Sequence, residues 1–357
     1  MMLFKLLQHF DRARVLPSVV SLTGTTRLAA RIRALGVEVV CLDMKGIGGG
    51  VKGMLDLLRA LRNLNPDIVQ GWMVHGNLAA SLAGALLRRH VYWGVRHSNL
   101  PQAVEQRSTI AVVRALRFLS PLASRIVYNS QAGRTAHEKL GYAHEKAVVI
   151  SNGFDTNLFA PSPAFRDSVR EELSLSPDAI LVGIVGRYHP MKDHRTFLLA
   201  ARQVAADLNI AKFLLVGEGC DAKNPALAAV LDDLRLWDRV ALLGERDDMP
   251  RLMAAMDICT LTSRSGEGFP NAIGEAMAAA VPCVASDIGD CRLIVEDCGF
   301  VVPPEDPVAV ADAWRRLLAM DANARHALAQ RARQRIMERY SMDSVVREYT
   351  DLYIASP

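Results

Sequence analysis

Short apolar runs alternate with longer amphipathic stretches along most of the chain. In the first half, SVVSL (18–22), VEVVCL (37–42), DIVQG (67–71), VYWGV (91–95), RIVYNS (125–130) and AVVIS (147–151) have the length and β-branched content of strands. Between them, 26–36, 54–64, 77–89 and 131–141 carry apolar residues at helical spacing, and Gly36 and Gly141 suit helix C-caps. Strands without polar alternation are covered on both faces, so the pattern predicts a parallel sheet between helices. SNGFDTNLFAPSPAF (151–165) interrupts the rhythm with Gly, Asn and Pro and reads as a linker. A second series follows: AILVGIVG, AKFLLVGEG, RVALLGE, DICTLTS, VPCVASD and GFVVP. The expected organisation is an α/β domain over 1–155, a second over 156–340, and a closing helix over 341–357.

In open α/β sheets, ligands bind beyond the carboxyl ends of the strands. Arg187, Gly217, Gly219 and Glu267 all fall at such ends. The stretch SRSGEGFPNAIGEAMAAAVPC (263–283) is the richest in chemistry. A strand-like run leads into a Gly-rich loop and then a small-residue helix, whose free N–H groups suit an anion. Glu267 sits on the loop, and Glu275 lies about one turn into the helix. Carboxylates bind sugar hydroxyls well and phosphates poorly, so the pairing points to a ligand with both parts. Arg187 and Lys192, after the strand ending at Gly186, offer a planar fork and a mobile point charge near a second helix start, with Asp193 as its N-cap. A solvated cationic pair would oppose the helix dipole there. Gly217 and Gly219 flank Glu218 in a tight loop that shapes a nucleotide pocket or serves as a plain turn.

Composition narrows the classes. The formal charge of +4 comes without a long basic block, so nucleic acid is not the expected partner. The six cysteines form no CxxC pair and read as reduced core residues. The start MMLFKLLQHFDRAR lacks a signal-peptide cleavage site, and no apolar run is long enough to span a bilayer. The expected location is cytoplasmic, with peripheral attachment to the inner face of the plasma membrane. Segments 112–125 and 54–64 mix arginines with apolar residues. They suit an anionic membrane surface as well as packing on a sheet. No metal cluster is visible: the acidic pairs Asp232–Asp233 and Asp247–Asp248 lie in helical contexts.

The chain resembles the family-4 retaining glycosyltransferases (group 1 glycosyltransferases). The resemblance rests on the Glu-x7-Glu spacing of 267 and 275, on VGRYHPMKDHRTFLLAA (185–201), FLLVGEG (213–219), LLGERDDMPRLMAAMDI (242–258) and SNGFD (151–155). It implies the GT-B fold, two Rossmann-like domains facing across a cleft, the last helix crossing back onto the first domain. It implies hexosyl transfer from a UDP- or GDP-linked sugar to a hydroxyl acceptor without metal or other cofactor, the acceptor being a lipid-linked or polysaccharide precursor of a bacterial surface glycan. By resemblance Arg187 and Lys192 neutralise the leaving diphosphate and Glu275 holds the nucleotide ribose. Glu267 holds the donor sugar, and the backbone at Gly186, Gly217, Gly219, Gly268, Phe269 and Asn271 completes the donor site. His97 resembles a histidine that approaches the donor sugar, although a structural histidine fits equally. Trp72, His75 and Asn77, in GWMVHGN (71–77), are candidates for the acceptor side.

One departure stands out. Family members begin with an apolar strand and a Gly-rich loop, whereas this chain begins in what reads as the first helix. A non-catalytic or impaired nucleotide-sugar-binding protein is therefore an alternative. A nucleotide-sugar epimerase would need further carboxylates and a histidine around the sugar, and no such set is evident.

Overall fold

A computed structural model describes residues 2–44, 50–96, 107–176, 178–207 and 210–355. The chain divides into two α/β units, one formed by Met1–Gly153 with Met342–Pro357 and the other by Phe154–Ser341. All pairing between strands is parallel. Both are Rossmann-like α/β units, as the strand pattern predicts.

The first unit holds β1 (Ser18–Ser21) and β2 (Glu38–Cys41) in one sheet. A second sheet holds β3 (Ile68–Trp72), β4 (His90–Val95), β5 (Arg125–Tyr128) and β6 (Ala147–Val149), in that order. Trp93, Ile126 and Tyr128 are fully buried there, as the unbroken apolar runs require. The C-terminal helix Met342–Ile354 belongs to this unit. Its Tyr349 packs on Trp72 at 6.5 Å and Tyr353 on Phe10 at 6.0 Å.

Two helices start earlier than the sequence pattern predicts. The 54–64 helix begins at Gly50, and the 77–89 helix begins at Met73, directly after β3. The second shift has a steric basis. A Cβ on Gly71 would lie 2.6 Å from the Gly76 carbonyl and from the Asn77 Cα, so a bare glycine lets the helix fold straight back on its strand. His75 and Asn77 consequently ride on the first turns of a helix instead of on a strand-end loop.

The second unit has one six-stranded sheet. Its strands are β7 (Ile180–Val185), β8 (Ala211–Val216), β9 (Val240–Leu242), β10 (Ile258–Leu261), β11 (Cys283–Ser286) and β12 (Phe300–Val302), in the order β12-β11-β10-β7-β8-β9. The chain leaves β7 toward β8 on one side and later returns to β10 on the other. The order therefore reverses between β7 and β10, which is where α/β sheets open a ligand crevice. Beneath that point Phe154, fully buried, stacks on Phe269 at 5.9 Å, and Phe269 meets Tyr340 at 5.4 Å. Phe154 also forms a parallel bridge to Ser341.

Gly274 makes room for that aromatic stack: a Cβ there would sit 2.0 Å from the Phe154 ring. An alanine in a helix interior normally gains about 1 kcal/mol over glycine. Overpacking a tight core costs about 1–3 kcal/mol, so the clash wins. Gly274→Ala should lower the urea midpoint of the protein, and a stabilised variant would show that the Phe154 ring yields without cost.

Candidate active site

The loop after β7 (186–193) and the loop after β10 (262–268) leave adjacent strands and are stitched together by hydrogen bonds. Thr262 Oγ1 donates to the carbonyls of Lys192 at 3.1 Å and Asp193 at 2.9 Å. The Arg264 N–H donates to Met191 O at 2.9 Å. Gly266, at φ +80°, turns the second loop in a conformation a side chain would strain. The Met191 methyl lies 1.5 Å from where its Cβ would be. These ties bring Lys192 Nζ into a short ion pair with Glu267 Oε1. Ser263 Oγ donates to the same carboxylate oxygen at 2.7 Å. Both ionic side chains keep some solvent contact, 28% for Lys192 and 11% for Glu267.

Two further features set the charge balance. Arg187, at the end of β7, is exposed and has no ion-pair partner among the described residues. The helix Asn271–Ala278 starts after Pro270, which makes no side-chain cap hydrogen bond, and a helix start of this kind suits an anion. Asn271 is exposed and Glu275 half-buried on this helix. The Phe269 side chain belongs to the aromatic core and leaves only its backbone to the loop. The Gly268 carbonyl accepts from Asp290 N–H at 2.9 Å, which anchors the loop to the segment after β11. Gly217, at φ +144°, would put a Cβ 2.3 Å from the Gly186 carbonyl. The loop carrying Gly217 and Gly219 thus lies directly against Gly186.

Several contributors carry no sequence signal of their own. Ser263 hydrogen-bonds Glu267, and Ser286 Oγ supports Ser263 through its carbonyl at 2.5 Å. Cys291 lies under the carboxylate. Burial, followed by the Glu267 charge, pushes its thiol up to about 12, so it stays protonated and inert. His194, two residues past Lys192, is 2% exposed. Its Nε2 lies 3.5 Å from Cys220 Sγ and its ring 5.2 Å from Tyr188, while Nδ1 has no partner. Burial, aided by the Lys192 charge, holds its pKa down at about 4, so the imidazole is neutral. Asp193, the expected N-cap, accepts from Thr196 N–H at 3.2 Å.

In the first unit the expected acceptor residues are scattered in role. Asn77 is buried, with its amide committed to the backbone of Gly94: Oδ1 accepts from Gly94 N–H at 3.2 Å and Nδ2 donates to Gly94 O at 3.4 Å. It braces β4 and presents no acceptor surface, which corrects that expectation. Trp72 is half-buried between Arg96, 4.5 Å above its ring, and Tyr349. It too serves packing. His75 is exposed on its helix. His97 lies outside the described residues.

Comparison with known proteins accords with this geometry. A profile described as Glycosyltransferase Family 4 matches residues 2–158, and one described as Glycosyl transferases group 1 matches residues 179–320. The chain is a family-4, group 1 glycosyltransferase. Among its relatives is an Escherichia coli protein named UDP-Gal:alpha-D-GlcNAc-diphosphoundecaprenol alpha-1,3-galactosyltransferase. That protein is 27% identical over 92% of this chain and 86% of its own length. Another is the Bacillus anthracis N-acetyl-alpha-D-glucosaminyl L-malate synthase, 27% identical over 52% of this chain and 48% of that protein. The glycosyltransferase fold is shared with Anabaena HepE, crystallised with UDP, at a TM-score of 0.87 and 23% identity over 99% of this chain and 95% of HepE.

The buried imidazole makes stability depend on pH in a defined direction. The His194 pKa, about 4, lies below the ordinary 6.5, so the unfolded chain binds more protons between these values. The contribution is complete above about pH 6.5 and is lost as the pH falls toward 4, a swing of roughly 3 kcal/mol for one such group. His194→Gln should flatten that part of the stability–pH profile measured by thermal denaturation. An unchanged acid limb would show that the imidazole is not the group responsible.

Proposed function

We propose that this glycosyltransferase moves a hexosyl group from a UDP- or GDP-linked sugar to a hydroxyl acceptor with retention of anomeric configuration. The observation that carries the reading is the meeting of Lys192 and Glu267 at the sheet's switch point, with the exposed Arg187 at the end of β7. Phosphate oxygens take Arg187, Lys192 and the N–H groups of Asn271–Ala278. Sugar hydroxyls take Glu267, and the ribose takes Glu275. Positive charge is thereby held where negative charge grows as the glycosyl–phosphate bond breaks. No carboxylate is assigned as nucleophile. The acceptor hydroxyl attacks from the face the diphosphate leaves, and the departing phosphate takes its proton. The side-chain cations stand in for a divalent metal, so turnover should survive EDTA.

The E. coli relative, whose name specifies a diphosphoundecaprenol-linked acceptor, supports a lipid-linked surface-glycan precursor here. HepE complexes with UDP and with UDP-glucose support a uridine-linked donor. A basic-apolar surface on the first unit supports work at an anionic bilayer. Phe118 and Leu122 are 73% and 69% exposed, beside Arg114, Arg117 and Arg125. No helix among the described residues is long and apolar enough to cross a membrane.

Three measurements test this reading. Arg187→Ala should cut turnover on the order of a hundredfold, a few kcal/mol of transition-state charge stabilisation, with stability unchanged because the side chain is unpaired. Full activity in that variant with any accepted donor would remove the clamp. Glu275→Gln should weaken nucleoside diphosphate binding by about tenfold to a hundredfold, the worth of a charge-assisted hydrogen bond. Glu267→Gln should leave that affinity nearly intact and impair transfer; the reverse pattern in binding isotherms would exchange the two roles. Co-sedimentation with phosphatidylglycerol vesicles should decline as salt rises and weaken in Phe118→Asp. Binding indifferent to salt and lipid charge would contradict bilayer attachment.

A further inference from the structure

The helix Asn271–Ala278, which carries Glu275, ends under a constraint its own residues do not supply. A helix leaves its last four carbonyls without intrahelical donors. The turn that follows takes three of them here. The N–H groups of Ala279, Ala280 and Val281 donate to Glu275 O at 3.1 Å, Met277 O at 3.0 Å and Ala276 O at 2.9 Å. Ala280 sits at φ +55°, a conformation that costs an alanine free energy and persists only where its surroundings impose it. The fourth carbonyl, on Ala278, accepts from Nη1 of Arg333, a residue of the helix Ala322–Arg339. The same guanidinium donates to Phe159 O and to Thr156 O, each at 3.0 Å. Arg333 has no ion pair among the described residues, and its three hydrogen bonds all run to carbonyls. Its charge lies at the negative end of the Glu275 helix, where the helix dipole favours a cation.

The segment Arg333 grips is also the one on which the front of that helix rests. Residues 154–159 form a self-braced turn: Asp155 Oδ1 accepts from Asn157 N–H at 3.0 Å and Leu158 N–H at 2.9 Å, and Phe159 N–H donates to Asp155 O at 2.9 Å. Phe154 lies against Gly274 and Phe269, and Phe154 and Phe159 share an apolar cluster with Ile273 and Ala276 of the helix. One short segment thus meets the helix near its start through an aromatic ring and at its end through a guanidinium. Apolar packing tolerates sliding, whereas a fork bonded to three carbonyls fixes both axial position and rotation.

We propose that Arg333 is a positioning residue for donor binding, which acts by setting where Glu275 meets the nucleotide. The proposal rests on the reading of Glu275 as the ribose contact. Glu275 stands three residues before Ala278, about 4.5 Å along the helix axis. A displacement of the helix end is therefore passed to the carboxylate almost undiminished, and misplacements of about 1 Å are enough to weaken a charge-assisted hydrogen bond severely. Arg333 bonds the end of the helix remote from Asn271, so its influence on the ligand passes through Glu275. A lysine at this position could satisfy one carbonyl but could not join the helix end to both Thr156 and Phe159.

A double-mutant cycle tests this, with calorimetric binding of whichever of UDP and GDP the unmodified protein binds more tightly. Arg333→Met keeps the aliphatic stem and removes the fork. It should weaken binding at least fivefold, and Arg333→Lys should weaken it less. Placed in a Glu275→Gln background, the same changes should cost less than twofold. Circular dichroism checks that each variant is folded, and if Arg333→Met is not, Arg333→Lys carries the cycle. Equal losses with and without Glu275 would overturn the proposal, since Arg333 would then act on the fold at large. Unaltered affinity in the Arg333 variants would overturn it too. A Glu275→Gln protein that binds like the unmodified one would remove the ribose reading and this proposal with it, a failure told apart because that single variant reports it.

Discussion

The parallel pairing of β7 with β10 is the constraint on which the candidate site rests. Ile258 lies opposite Val182 and Thr260 opposite Ile184, so the two strands end level with each other. Because one belongs to the start of the sheet's path and the other to its return, their following loops diverge from the usual helix connections and meet over the gap. Thr262 and Arg264 convert that proximity into fixed geometry by bonding the backbone of 191–193. A one-residue slip in this register would separate Lys192 from Glu267 and move every side chain of the slipped strand to the opposite face of the sheet.

Much of this was legible in the residues because the signals are local. Unalternated apolar runs announce a parallel sheet, and Gly-rich strand ends announce where ligands go. Glu267, Lys192 and Arg187 stood out through charge at such ends. What escaped notice depends on contacts distant in sequence. Ser263 looks like any loop serine until Glu267 folds over it, and His194 reads as a polar helix start until Cys220 and Tyr188 close around it. Asn77 misled for a related reason. A polar residue past a strand suggests a ligand contact, but the abrupt return allowed by Gly71 turned it inward onto Gly94. Trp72 was likewise drawn into packing by Arg96 and Tyr349, partners whose separation in sequence hides the arrangement.

The split sheet illustrates the opposite case. The departure from the resembled family at the first helix was visible only by comparison, and the structure shows the first unit with two separate sheets. The helix Gly50–Leu64 nevertheless spans both, since Val20 and Val69 share its cluster. The packing of the first unit is therefore largely indifferent to the interruption, while the hydrogen-bond ladder is not.

The ion pair at the switch point carries a consequence for selectivity. A phosphate oxygen that takes the Lys192 ammonium competes with Glu267, whose carboxylate keeps its hydrogen bond from Ser263. A sugar without phosphate meets the mirror problem. A molecule that brings hydroxyls and phosphate together would compensate both halves of the pair at once, so that charge balance adds to steric fit in choosing a ligand.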